Sequence, residues 1–154
     1  MLNRRTLLAA APALAAAPAA LAQARWQMAT PYPDGNFHTR NVRQWLADLQ
    51  AATGERVQVQ LHSNGALLPM PQIKAGAQRG QVQLGEILLS AYGNEDPFFE
   101  VDGIPQLVTS FAEARRLMEA ARPFVEARFQ RQGLSLLYMV PWPPSGFYTN
   151  TPVE

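Results

Sequence analysis

No cysteine occurs in the chain, which excludes both a disulfide framework and a thiolate metal site. Histidine is almost as scarce. The two present, His38 and His62, stand in neither an H-x3-H nor an H-E-x-x-H spacing, so no zinc motif is formed. A dominant charge is missing too. With 13 basic and 12 acidic residues the formal net charge is +1, too small to attract nucleic acid or an anionic membrane surface. After residue 24 no apolar run is long enough to span a bilayer. Gly76, Gly80 and Gly85 lack the G-K-[ST] ending of a phosphate loop, and Ser63, although next to His62, has no G-x-S-x-G elbow around it. The sequence therefore implies no cofactor, and it offers no motif for metal, thiolate or serine chemistry.

What is present begins with an export signal. Asn3-Arg4-Arg5-Thr6 is a basic start, Leu7 to Leu21 is rich in alanine and leucine, and Ala22-Gln23-Ala24 is a small-x-small cleavage site. Pro12 and Pro18 make the run a poor spanning helix. The adjacent arginines fit a secretory n-region and, in part, a twin-arginine signal. Cleavage would leave Arg25–Glu154, without Arg4 and Arg5 and therefore close to neutral. An exported chain with no disulfide relies on an apolar core, which suits a bacterial periplasmic domain.

Strands and helices alternate along the rest. Trp26–Ala29 reads as a short strand that stops at Thr30-Pro31-Tyr32-Pro33-Asp34-Gly35. Asn36 or Thr39 can cap a helix whose Val42, Trp45, Leu46, Leu49 and Ala52 share one face, closed by Gly54. Val57, Val59 and Leu61 alternate with polar residues in a second strand. A short helix over Gln72–Arg79 follows, and Gln81 to Leu84 begins a third strand, with Ile87, Leu88 and Leu89 extending the apolar stretch into Ser90. Residues Asn94 to Pro105 read as irregular loop. Ser110 and Glu113 form a capping box for a long helix that Pro123 is expected to kink or divide. Leu134–Val140 is a buried-strand candidate, and Phe147-Tyr148-Thr149 starts a last one. The pattern implies an α/β domain with a mostly parallel sheet flanked by helices.

Ligands of open α/β sheets bind outside the carboxyl ends of the strands. Four stretches are assigned there: Pro31–His38, His62–Gly65, Ser90–Gly93 and Pro141–Phe147. They offer Tyr32, Asn36, His38, Asn64, Tyr92 and Trp142, a mixture of flat apolar surface and neutral hydrogen-bonding groups. That lining suits capture of a small polar molecule better than bond cleavage. Asp96, Glu100 and Asp102 lack a D-x-D-x-D-G loop and are read as solvated.

Four segments carry a family resemblance: MATPYPDGNFHTRNVRQWLADLQAATGERVQVQLHSNGALL, IKAGAQRGQVQLGEILLS, NEDPFFEVDGIPQLVTSFAEARRL and LLYMVPWPPSGFYT. Together they resemble the solute-binding subunits of TRAP transporters, the DctP-like family. The resemblance implies a two-lobed periplasmic binding protein that captures a small organic acid, either a carboxylate or a sugar acid. It also implies partnership with integral membrane subunits and uptake driven by a sodium gradient. Members are longer, and the chain stops before the segment whose arginine pairs with the ligand carboxylate. Residues 25–154 are accordingly read as the N-terminal lobe of a periplasmic-binding-protein-like fold with its second lobe missing, and weak ligand binding is expected of it. Carried over by position, Asn36, Phe37 and His38 follow the first strand, Ser63 and Asn64 the second, and Trp142 the fourth. With Tyr92 these are the expected ligand-binding residues. An exported α/β hydrolase-like enzyme and a ligand-sensing module of a membrane receptor are the alternatives.

Overall fold

The computed structural model describes residues 24–143 and 150–151. Strand β1 (Ala24–Ala29) is the middle of a three-stranded parallel sheet ordered β2-β1-β3. β2 (Val57–His62) lies beside it in the register Ala24 with Val57 through Ala29 with His62. β3 (Leu84–Gly85) pairs along the other edge, Met28 with Leu84 and Ala29 with Gly85. Parallel neighbours need a crossover rather than a hairpin turn. Helix α1 (Phe37–Ala52) supplies the first crossover and α2 (Met70–Gln78) the second. The chain leaves β1 toward one edge and returns on the other. The strand order therefore reverses between β1 and β3, where an open α/β sheet leaves a crevice at its carboxyl end.

Local chemistry sets the helix ends. The Asn36 side chain accepts from His38 N at 2.8 Å and starts α1. Pro71 sits in the first turn of α2, where its missing N–H costs no hydrogen bond. Helix α3 (Phe111–Arg131) opens on Ser110, whose Oγ accepts from Glu113 N at 3.3 Å. Glu113 in turn accepts from the backbone and hydroxyl of Thr109, a capping box shifted outward by one residue. Gly54, Gly80 and Gly133 follow the three helix ends at φ +57°, +72° and +74°, the left-handed geometry that a helix stop demands.

Two buried clusters hold the layers together. Ala29, Ile73 and Val82 bury α2 against the sheet, while Tyr92, Phe99, Val125 and Phe129 bury α3 against the segment after β3. Ile87 packs on both clusters. Gly85 is required where α2 crosses β3, since a Cβ there would stand 2.7 Å from Ile73 Cγ2.

Three elements differ from the expectation. The third strand is confined to Leu84–Gly85; Ile87 and Leu89 are apolar because they face the clusters, not because they lie in a ladder. Pro123 does not divide α3. It and Glu119, whose carbonyl loses its partner, are both exposed, so water satisfies the freed group. Leu134–Val140 forms no strand among the described residues. Arg122 Nη2 instead donates to the carbonyls of Leu136 (3.4 Å) and Leu137 (3.0 Å), while Leu134, Leu136 and Met139 pack on the Phe99 cluster. The loop after Asn94 contains a 3-10 helix, Pro97–Gly103, capped by the Asp96 carboxylate. That carboxylate also pairs with Arg128. The expected signal segment up to residue 23 and the strand at Phe147–Thr149 lie outside the described residues.

Phe99 is wholly buried. Phe99→Ala should lower unfolding stability by about 3–5 kcal/mol, whereas Leu107→Ala, at an exposed position, should change it by less than about 0.5 kcal/mol. Urea unfolding of the two variants compares them directly.

Candidate functional site

The site is built where β1 and β3 end side by side. Thr30, the residue after β1, is completely buried, and its backbone is tied on both sides to the β2 turn. Its N–H donates to His62 O at 3.0 Å and its carbonyl accepts from Gly65 N at 3.1 Å. Glu86, the residue after β3, donates its backbone N–H to Ala29 O at 2.9 Å. The Thr30 hydroxyl then donates to Glu86 Oε2 at 2.5 Å while accepting from Tyr32 N at 3.3 Å. A carboxyl group is thereby fixed at the reversal point of the sheet.

Around it stand aromatic walls. The first turn of α1 buries His38 and Thr39, and His38 Nδ1 comes within 4.0 Å of Glu86 Oε1. Tyr32 stacks on the imidazole, with centroids 5.5 Å apart and 27° between the planes. Trp142 meets His38 and Tyr32 edge-on at 4.5 and 5.4 Å. Phe37 closes the group, 4.0 Å from His38 and 5.6 Å from Trp142. Phe37 and Trp142 are more than a third exposed and form the lip. A cavity of about 450 Å³ opens beside them; its polar lining comprises Tyr32, His38, Glu86 and Tyr138, next to Trp45 and Trp142, and also Lys74, Gln83, Asp102 and Ser135. That volume is typical of small-molecule sites.

The electrostatics keep most of these groups neutral. Burial raises the Glu86 carboxyl above its ordinary value, and the Thr30 hydroxyl opposes the rise. Burial, then the nearby Glu86 charge, pushes the Tyr32 and Tyr138 hydroxyls up to about 12. Burial lowers the His38 pKa from 6.5, which favours the neutral ring. Among the described residues, Tyr32 Oη and His38 Nε2 are buried with no hydrogen-bond partner. An unmet buried group costs about 1–3 kcal/mol, so both atoms favour an occupant that bonds to them. No arginine lines the cavity among the described residues. Lys74, which lines the cavity, is already engaged by Glu95 and by Gln132 at 2.7 Å.

Three solved structures share this fold and much of its sequence. DctP7 of Bordetella pertussis, an extracytoplasmic solute receptor binding pyroglutamic acid, is 46% identical with a TM-score of 0.80. DctP6 of the same organism, also binding pyroglutamic acid, is 41% identical with a TM-score of 0.76. A marine-metagenome TRAP solute binding protein in complex with pyroglutamate is 34% identical, again with a TM-score of 0.76. The chain belongs to the DctP-like family of TRAP solute receptors. The matches cover 84%, 78% and 79% of this chain but 43%, 40% and 40% of the receptors. It thus spans about two fifths of their length and matches one lobe. No family profile and no curated protein sequence matches the chain.

Within this receptor lobe the expected site residues divide. His38 and Trp142 line the cavity, and Phe37, outside the lining, packs on both rings. Asn36 is the cap that positions His38. Ser63 and Asn64 do not line the cavity. The Ser63 hydroxyl donates to Asp34 at 2.7 Å, and Asn64, at φ 58°, donates its N–H to Tyr32 O at 2.8 Å, bracing the loop from behind. The adjacent His62 turns to Gln27, so no nucleophile–base pair forms with Ser63. Tyr92 is 5% exposed; its hydroxyl donates to Met70 O at 2.8 Å and its ring belongs to the core. Glu86, Thr30 and Tyr138 were not anticipated. The signal for Glu86 was a lone acid within Leu84-Gly85-Glu86-Ile87-Leu88-Leu89, masked by placing the end of β3 too late.

His38 gives the lobe a pH signature. Because its folded pKa is lowered, the unfolded chain binds the extra proton, and stability is lost as pH falls below 6.5. Glu86, with a raised folded pKa, acts in the opposite sense above 4.5. The urea midpoint should drop between about pH 7 and about pH 5.5, and the drop should shrink in His38→Gln. An equal drop in both proteins would remove His38 as its source.

Proposed function

We propose that this chain supplies one wall of the cleft of a periplasmic TRAP solute receptor that captures a small organic acid, with pyroglutamate the first ligand to test. The observation that carries the reading is the cavity at the β1/β3 reversal point, where Tyr32 Oη and His38 Nε2 lie buried without partners beneath an aromatic lip. The cavity beside these rings has room for a flat five-membered ring, whose carbonyl and carboxylate oxygens are acceptors suited to the phenol and imidazole N–H. Identity of 34–46% to three pyroglutamate-binding receptors supports the choice. The protein acts as a receptor and not as an enzyme. Residues 1–24 direct its export, hinge closure of two lobes encloses the solute, and the closed form delivers it to integral membrane subunits for uptake driven by a sodium gradient. A counter-charge for the ligand carboxylate comes from the facing lobe, since this wall offers none that is free.

One wall should bind weakly. A Kd of about 1 mM corresponds to about −4 kcal/mol. Titration of the isotope-labelled lobe with pyroglutamate to about 10 mM should move the backbone amides of His38 and Glu86 and the indole N–H of Trp142 in one saturable process. Shifts confined to other regions, or none at all, would defeat the assignment.

A further inference from the structure

The carboxyl group held at the strand ends of this cavity carries the wrong sign for an anion site. Of the other charged lining residues, Asp102 shares that sign while Lys74 is engaged by Glu95 and Gln132. Glu86 has only 10% of its side chain exposed, and no arginine faces it in the cavity lining among the described residues. Its hydrogen-bond polarity is fixed by the residues around it. Thr30 Oγ1 accepts the Tyr32 N–H, which leaves the Thr30 hydroxyl proton to be donated to Glu86 Oε2. Oε2 is thereby satisfied and the carboxyl rotamer is held. Oε1 takes no hydrogen bond among the described residues, Glu86 lines the cavity, and His38 Nδ1 stands 4.0 Å away, beyond hydrogen-bond reach. An ionised carboxylate only accepts. A simple carboxylic anion would place acceptor against acceptor and charge against charge here. A ligand N–H removes that conflict.

We propose that Glu86 is the specificity-determining residue of the site, its Oε1 accepting an N–H of the ligand, so that the lobe selects acids with a ring amide over acids of the same shape without one. This inference rests on the organic-acid reading above and narrows its ligand class. Tyr32 and His38 contact the ligand's acceptor atoms, Trp142 and Phe37 its faces, and Glu86 its only ring donor. Sites that hydrogen-bond a substrate N–H or O–H reject analogues lacking it far better than apolar pockets reject a missing methylene.

The test compares pyroglutamate with its lactone analogue, 5-oxotetrahydrofuran-2-carboxylate, which replaces the ring N–H by an oxygen at nearly constant shape. By chemical-shift titration of the chain, the lactam should bind at least about tenfold more tightly than the lactone. Glu86→Gln should abolish or reverse the preference. Its amide oxygen would take the Thr30 hydroxyl, which turns the –NH2 toward the cavity and replaces an acceptor by a donor. Equal binding of the two acids at His38 and Trp142 overturns the inference while leaving the organic-acid reading in place. A preference that survives Glu86→Gln in a protein with an unchanged amide spectrum overturns it as well. Failure of both acids to perturb the site overturns the reading and the inference together. The wild-type comparison needs no variant, so a misfolded Glu86→Gln does not rescue the idea.

Discussion

The hydrogen bond from Thr30 to Glu86 joins two strand ends that are 56 residues apart in sequence, and the site depends on it. Both residues sit one position past the last ladder pair, and the ladder itself brings them together because Ala29 opposes Gly85. The side-chain bond is thus a continuation of the sheet rather than a separate contact. Buried and between a hydroxyl and a carboxylate, it belongs to the stronger class of hydrogen bonds. It also has no alternative geometry: Thr30 is held by backbone bonds to His62 and Gly65, and Glu86 by its own N–H to Ala29. Gly85 is part of the same constraint, since the close approach of Ile73 allows β3 to sit under α2 at this point.

From that fixed carboxyl the character of the cavity follows. Burial, reinforced by the nearby Glu86 charge, holds the Tyr32 and Tyr138 hydroxyls as neutral phenols. His38 is held neutral by burial, and its loose approach to Glu86 does not reverse that. At the ends of β1 and β3 the wall therefore presents neutral polar groups and the Glu86 carboxyl, framed by rings that supply contact area without many rotamers to freeze. Asn64 and Ser63 contribute from outside, through the backbone of Tyr32 and the carboxylate of Asp34.

Much of this was legible from the residues. Period and capping chemistry located α1 and α3, with Asn36 and Ser110 at their starts, and alternation located β1 and β2. The loop between β1 and α1 was correctly placed at the carboxyl end of the sheet, which put His38 among the candidates, while Phe37 entered only through the family resemblance. The third strand was harder. Leu84 to Leu89 is apolar throughout except for Gly85 and Glu86, and hydropathy does not distinguish a strand in a ladder from a chain crossing between two buried clusters. Placing the strand end at Ser90 moved attention from Glu86 to Tyr92, a core ring. Leu134–Val140 misled in the same way, its apolar residues packing on the Phe99 cluster while Arg122 occupies its carbonyls. Tertiary partners, absent from a local pattern, made both decisions.

The same partners explain why a wall so specific in its hydrogen bonds should still bind weakly alone. Ordering a ligand on a protein forfeits translational and rotational freedom worth several kcal/mol, about 4 or more, against which one aromatic face and a few hydrogen bonds give little surplus. Phe37 and Trp142 are exposed at the lip, so the outer face of a bound ring would remain wet and the electrostatic terms would be screened there. On the proposed two-lobed reading, a facing wall would change both conditions at once. It would remove the water that weakens the bonds to Tyr32, His38 and Glu86, and it would bring a free positive charge, since Lys74 in this lining is already paired. Selectivity and affinity are in this sense divided between the walls. On the proposed reading, the acceptor at Glu86 would determine which acid is preferred, and enclosure how tightly it is kept.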